Sequence, residues 1–263
     1  MITNLDIMES ISNNTEKDIR MDIKDFIRKT YIGTYTLSNE PNDDGLYEAS
    51  SYDNIIVKDR NIVSLTGALP FRWSDVKGGF YCGECNELKS LEGAPTSVGG
   101  DFSCSYCGNL TSLVGAPMSV GGDFRCTHCL NLTTLEGAPM SVNGNFWCIE
   151  CTNLTTLEGA PKSVNGDFMC TDCANLISLE GAPEKTGNEF DCSRCENLIT
   201  LKGSPKKVEG FYCDECEKIT SLEGAPMEAI TFSCIECGKQ FTRSDVRAVC
   251  DVKNHIINYR RIL

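Results

Sequence analysis

A repeat solenoid of stacked parallel strands is the fold class this sequence predicts, and three observations predict it. The pattern Phe-x-Cys-x-x-Cys-x-Asn-Leu-x-x-Leu-Glu-Gly-Ala-Pro-x-x-Val-x-Gly recurs with little drift along most of the 263 residues. Its first cysteines, Cys82, Cys104, Cys126, Cys148, Cys170 and Cys192, are spaced by 22 residues, and Cys213 and Cys234 follow at 21. Apolar residues within a copy fall at strand-like and then threefold intervals, so each copy is one coil of about 22 residues.

Within a coil, Phe102 and Cys104 alternate around Ser103, which reads as a short strand with Phe and Cys inward. Cys107, Leu110 and Leu113 continue the inward set. Gly115-Ala116-Pro117 turns the chain, because Gly accepts unusual backbone angles and Pro fixes one. Val120 returns to the core before Gly121-Gly122 leads into the next strand. The six or seven inward side chains of one coil do not offset the cost of ordering its backbone. Only a stack that shares faces and hydrogen bonds is stable.

The ends differ from the middle. Residues 1–60 do not repeat and form an N-terminal, helix-containing cap, with Ile19, Ile23, Phe26 and Ile27 at helical spacing between Glu16 and Tyr31. Residues 61–241 form the solenoid of about eight coils, beginning with a degenerate copy at Leu65-Thr66-Gly67-Ala68-Leu69-Pro70. Residues 242–263 form a C-terminal cap, whose helix is expected from Ser244 to Asn254.

The order apolar-x-apolar-x-x-Cys-x-x-Leu-x-x-Leu resembles the cysteine-containing variety of leucine-rich repeat. Over residues 17–263 the chain is similar to leucine-rich-repeat proteins of large tailed bacteriophages and some bacteria. Their repeats read approximately Leu-Thr-Ser-Leu-Glu-Gly-Ala-Pro-x-x-Val-x-Gly-x-Phe-x-Cys. The resemblance implies a horseshoe with one parallel sheet of short strands, in the cytoplasm of a bacterial or phage-infected cell, and implies no activity. The regular second cysteine departs from the family, where many relatives carry Asn.

Composition narrows the function classes. Asp plus Glu total 37 against 24 Lys plus Arg, a net charge of −13. That excess opposes binding to phosphate backbones and to anionic membranes. No window is long and apolar enough to span a bilayer, and Met1 to Asp6 shows no secretory signal, so a cytoplasmic location is expected. Only His128 and His255 occur, no nucleophile–base or paired-carboxylate arrangement can be placed, and no phosphate-binding GxxxxGK[ST] motif is present. The expected class is a non-catalytic scaffold that binds a protein, without a cofactor.

Seventeen cysteines suggest metal as the alternative. Cys82-x2-Cys85-x18-Cys104-x2-Cys107 has the spacing of a four-cysteine zinc site, although any CxxC copied every 22 residues generates it. The coils show no odd–even alternation, which a site shared between two coils would impose. A ladder of buried thiols is therefore expected, with the second cysteine of each pair bonding neighbouring backbone. The C-terminal set Cys234, Cys237, Cys250 and His255 has zinc-finger-like spacing and is the alternative single zinc site.

A partner surface is sought where the copies diverge. The residue between Phe and Cys varies freely, as Tyr81, Ser103, Arg125, Trp147, Met169, Asp191, Tyr212 and Ser233. The residues inside each cysteine pair vary too, among them Tyr106, His128, Asp172 and Arg194. On the strand reading both sets point outward from one sheet, and several belong to the types enriched at interfaces. Tyr81, Tyr106, Arg125, His128, Trp147, Met169, Asp172, Asp191, Arg194 and Tyr212 are the candidate contacts. A second column, Asp101, Asp123, Asn145, Asp167 and Glu189, reads as a turn residue or as an acidic rim favouring a basic partner. Asn109 and its copies read as an amide ladder satisfying loop backbone.

Overall fold

A computed structural model describes residues 16–67 and 69–252, and within them the chain winds into a parallel β-solenoid of about nine turns. Each repeat contributes two short strands. The Phe-x strand, such as Phe102–Ser103, joins an 11-stranded sheet, and the Ser-Val strand, such as Ser119–Val120, joins an 8-stranded sheet on the other side of the coil. Equivalent residues pair in register, Phe102 with Phe124 and Val120 with Val142. The expectation of a single parallel sheet is thus corrected: stacking identical loops aligns every extended segment, so the Val segment forms a ladder as readily as the Phe segment.

Side-chain columns fill the interior. Phe102, Cys104, Cys107, Leu110 and Leu113 are wholly buried, and Val120 nearly so. The Phe rings stack from Phe80 to Phe232, with centroids 5.0–6.0 Å apart. At the Gly-Ala-Pro turn, Gly137 has φ 89°, and a Cβ there would lie 2.4 Å from the Val114 amide nitrogen of the preceding coil. The turn is therefore closed to other residues, because coils must approach backbone to backbone.

Parallel coiling begins upstream of residue 61. Ile55–Val57 pairs with Phe80–Tyr81, and Tyr47–Ser51 pairs with Phe71–Val76. Ile55 and Val57 thus occupy the Phe and Cys positions of an extra turn. Helix α1 (Glu16–Thr30) lays Ile23 and Ile27 on this end of the core, and Phe26 meets Phe71 edge to face. At the other end, helix α2 (Arg243–Val249) is shorter than expected. Thr242 caps it, and Asp251–Val252 then leaves as a further parallel strand against Glu228–Ala229.

The two shortened repeats change the architecture. In a 22-residue coil three residues turn the corner between Val and Phe, as Gly99-Gly100-Asp101 do. Only Glu209-Gly210 remain after Val208, and the chain runs straight as one six-residue strand, Lys207–Tyr212. The same happens at Glu228–Ser233, and the Ser-Val sheet stops at Lys185–Thr186. Gly121, Asn143, Asn165 and Gly187 each donate an amide to the preceding Val carbonyl, whereas Glu209 donates to Asn188 and passes Thr186 by. Thr186 stands in the Val column, and its hydroxyl oxygen is buried without a partner among the described residues. Replacing Thr186 with Val should stabilise the protein by about 1 kcal/mol, the usual scale of an unmet buried polar group, read as a raised midpoint in urea with an unchanged slope.

Candidate functional site: the outer face of the Phe-x-Cys sheet

The cysteine pair determines what this face displays. Cys104 is inward in the strand, and a continued strand would turn Cys107 outward. The residue before each second cysteine instead takes a left-handed conformation, at φ between 56° and 62°, and swings that cysteine back inside. Glu84, Tyr106, His128, Glu150, Asp172, Arg194, Glu215 and Glu236 occupy this position in consecutive coils. None is Gly, although Gly alone adopts this region without cost.

With both sulfurs inside, the thiols form a ladder. The Cys107 thiol donates to the Cys82 carbonyl at 3.2 Å, and Cys129, Cys151, Cys173, Cys195, Cys216 and Cys237 repeat this at 3.0–3.3 Å. Burial lifts the pKa of Cys82, Cys126 and Cys192 well above the ordinary thiol value, which keeps them protonated donors or inert packing groups. Cys234 and Cys237 are only partly buried, and Cys250 is buried. Burial pushes Cys234 up to about 12 and Cys250 up to about 11. His255 lies outside the described residues. Among the described residues no cluster of three or more His, Cys, Asp or Glu is placed to hold a metal ion.

The divergent side chains meet from rung to rung. Arg125 binds Asp101 at 2.8 Å and Asp123 at 2.5 Å and lies over the Trp147 ring, 5.0 Å from its centroid. Trp147 is therefore half-buried by its neighbours, not freely exposed, and its indole N–H has no partner among the described residues. Met169 lies beside it in register. Tyr106 stacks on His128 at 4.4 Å, and His128 Nε2 approaches Glu150 at 2.6 Å. Arg194 grips Asp172 through two hydrogen bonds of 2.7 Å. Tyr81 and Tyr212 fold back over Gly79 and Gly210, positions where a Cβ would strike their rings. Tyr212 donates to Glu189 at 3.2 Å. Asp191 accepts the Ser193 amide at 2.9 Å, and burial, with the charge of Asp214, pushes its carboxyl up.

All ten candidates thus lie on one face, as two columns flanking the first cysteine. The pre-strand acidic column has a structural role the spacing did not disclose. The side-chain oxygens of Asp101, Asp123, Asn145 and Asp167 each accept the backbone amide of the equivalent residue one coil on, at 2.8–3.2 Å. The outer Asn column differs from expectation in its partner: Asn175 and Asn197 donate to the side chains of Asn153 and Asn175, not to loop backbone. The sequence placed this whole column on the face, but the ten named contacts left out its glutamates Glu84, Glu150, Glu215 and Glu236. What the sequence did not reveal is the left-handed backbone at the position before the second cysteine.

Two outcomes follow. A thiol reagent should label the partly buried Cys237 in the native protein, and the remaining cysteines, including Cys234 with its raised pKa, only after unfolding, as mapped by mass spectrometry. For Asp191, a raised folded pKa means that ionisation costs stability above that pKa and the cost vanishes as pH falls through it. Asp191→Asn should therefore raise the melting temperature at pH 7 and change it little at pH 3. None of the known family models matches this chain, and no curated protein or solved structure resembles it significantly.

Proposed function

We propose that the chain is a non-catalytic scaffold that binds a partner protein on the outer face of the Phe-x-Cys sheet, and that it does so without a metal or other cofactor. The left-handed column carries this reading. A non-Gly residue there costs on the order of 1–2 kcal/mol, and the cost recurs in eight consecutive coils. Neutral drift would favour Gly or Asn at such a site. Large and chemically diverse side chains stand there instead, beside a second column holding Tyr81, Arg125, Trp147, Met169 and Tyr212.

Dimensions support it. At roughly 4.8 Å per rung, eight rungs make a face about 35 Å long, enough for the roughly 800 Å² each partner buries in a standard interface. Backbone bonds below and side-chain pairs above hold the face rigid, so little order must be imposed on binding. On this reading the leucine-rich-repeat resemblance extends to use, a coil stack presenting its divergent positions, and the terminal helices shield its ends. The thiol ladder is a packing device. Elemental analysis of the purified protein should then find no stoichiometric zinc, and several ions per chain would reverse the assignment.

Substitution separates display from folding. Tyr106→Gly and Glu150→Gly relieve the left-handed strain and should leave stability unchanged or raise it by up to about 1 kcal/mol. Trp147→Ala and Tyr212→Ala should each weaken the partner, isolated with the wild-type chain and measured by calorimetry, by more than about 1 kcal/mol. Unfolding of the Ala variants, or full affinity in all four, would remove the basis for a docking face.

A further inference from the structure

The face is not uniform along its length. Before Met169 it carries the rings of Tyr81, Tyr106, His128 and Trp147 beside Glu84 and Glu150, with the Arg125 guanidinium held by two aspartates. Beyond Met169 it becomes acidic, and the Arg194 guanidinium there is already engaged by Asp172. Where the corner residue is lost, this acidic half opens into a groove of about 450 Å³. Asp167, Glu189 and Glu209 line it with the Tyr212 ring, and Ile230 forms an apolar wall. Ile230 is 39% exposed, unusual for an aliphatic residue in a strand.

These carboxylates have few claims on them. Asp167 accepts the Glu189 amide at 3.2 Å, and Glu189 accepts the Tyr212 hydroxyl at 3.2 Å. Neither those two nor exposed Glu209 forms an ion pair among the described residues. Burial raises the Tyr212 phenol, and the charges of Glu189, Asp191 and Asp214 raise it further, so the surroundings of the groove favour positive charge. The shape matters as well. Glu209 and Ile230 also line a cleft of about 830 Å³ on the far side of the lost corner, so an extended segment can cross from one sheet towards the other.

We propose that this groove receives a lysine or arginine side chain, carried on an extended segment of the protein that docks on the Phe-x-Cys face. The hydrocarbon stem lies along Ile230 and the Tyr212 ring, and the cation meets Glu189, Glu209 and Asp167. The assignment rests on the docking-face reading and adds to it the charge of the partner and the rung where it is recognised. The straightened corners that open the groove occur, among the described residues, only in the two adjacent 21-residue coils, at one end of an otherwise repetitive surface.

Fluorescent peptides test this on the full chain. One alternates lysine with alanine and carries a leucine pair at one end; a second has arginine for lysine, and a third has glutamate. The lysine and arginine peptides should bind, more weakly as salt is raised, and the glutamate peptide should not. Glu189→Gln with Glu209→Gln should reduce lysine-peptide affinity at least tenfold, while Glu92→Gln with Glu136→Gln, on the distant Gly-Ala-Pro turns, should change it less than twofold. Equal losses from both pairs would reduce the attraction to net charge and overturn the proposal, as would failure of both cationic peptides to bind. If the groove pair leaves affinity intact and Trp147→Ala lowers it, the groove assignment fails and the docking face survives. If neither change matters, both fail.

Discussion

The register of one coil upon the next is the constraint from which the rest of this protein follows. Amide hydrogens of one turn meet carbonyls of the next at the residue just before their counterpart, Phe102 to Asp123 and Cys104 to Arg125. That pairing places each side chain above its own counterpart. Phenylalanine therefore stacks on phenylalanine, and each second cysteine sits under a carbonyl it can bond. Glycine is forced wherever two backbones touch. A lone coil has no partner for these groups, which is why the unit of stability is the stack and not the repeat.

The same register converts sequence variation into a surface. Inward columns are tied to one size and polarity by their neighbours above and below, whereas outward columns need only tolerate an adjacent side chain. Several pairs go beyond tolerance. Tyr106 with His128, Arg125 with Trp147 and Asp172 with Arg194 are contacts between residues 22 positions apart that the stack makes adjacent. Such pairs stiffen long side chains that would otherwise lose rotamer freedom on binding. They also explain why Trp147, which the sequence suggests is exposed, is half covered by a guanidinium.

A missing residue matters more than a substituted one in this architecture. Substitution alters one side chain in one column, but removing one residue between Pro205 and Phe211 straightens a corner and ends a sheet. The orphaned Thr186 hydroxyl and the opening beside Tyr212 both lie at that seam. The shortened spacing is plain in the cysteine positions, yet its consequence depends on which corner loses the residue and on what the preceding coil had placed there.

By itself the sequence determined the coil: its length, its inward columns from Phe102 to Val120, its glycine turns and the face on which divergent residues gather. These are periodic properties, and a repeat writes the same physical requirement many times, so it can be read without coordinates. The number of sheets, the partners of the Asn and Asp columns and the left-handed backbone before each second cysteine were decided only by the tertiary structure. Each depends on how one coil lies upon another, a relation between residues 22 apart that no local pattern expresses. The left-handed position is the clearest case, because Glu, Tyr and Arg there have no local preference for such a backbone and are held by the need to bury two sulfurs three residues apart.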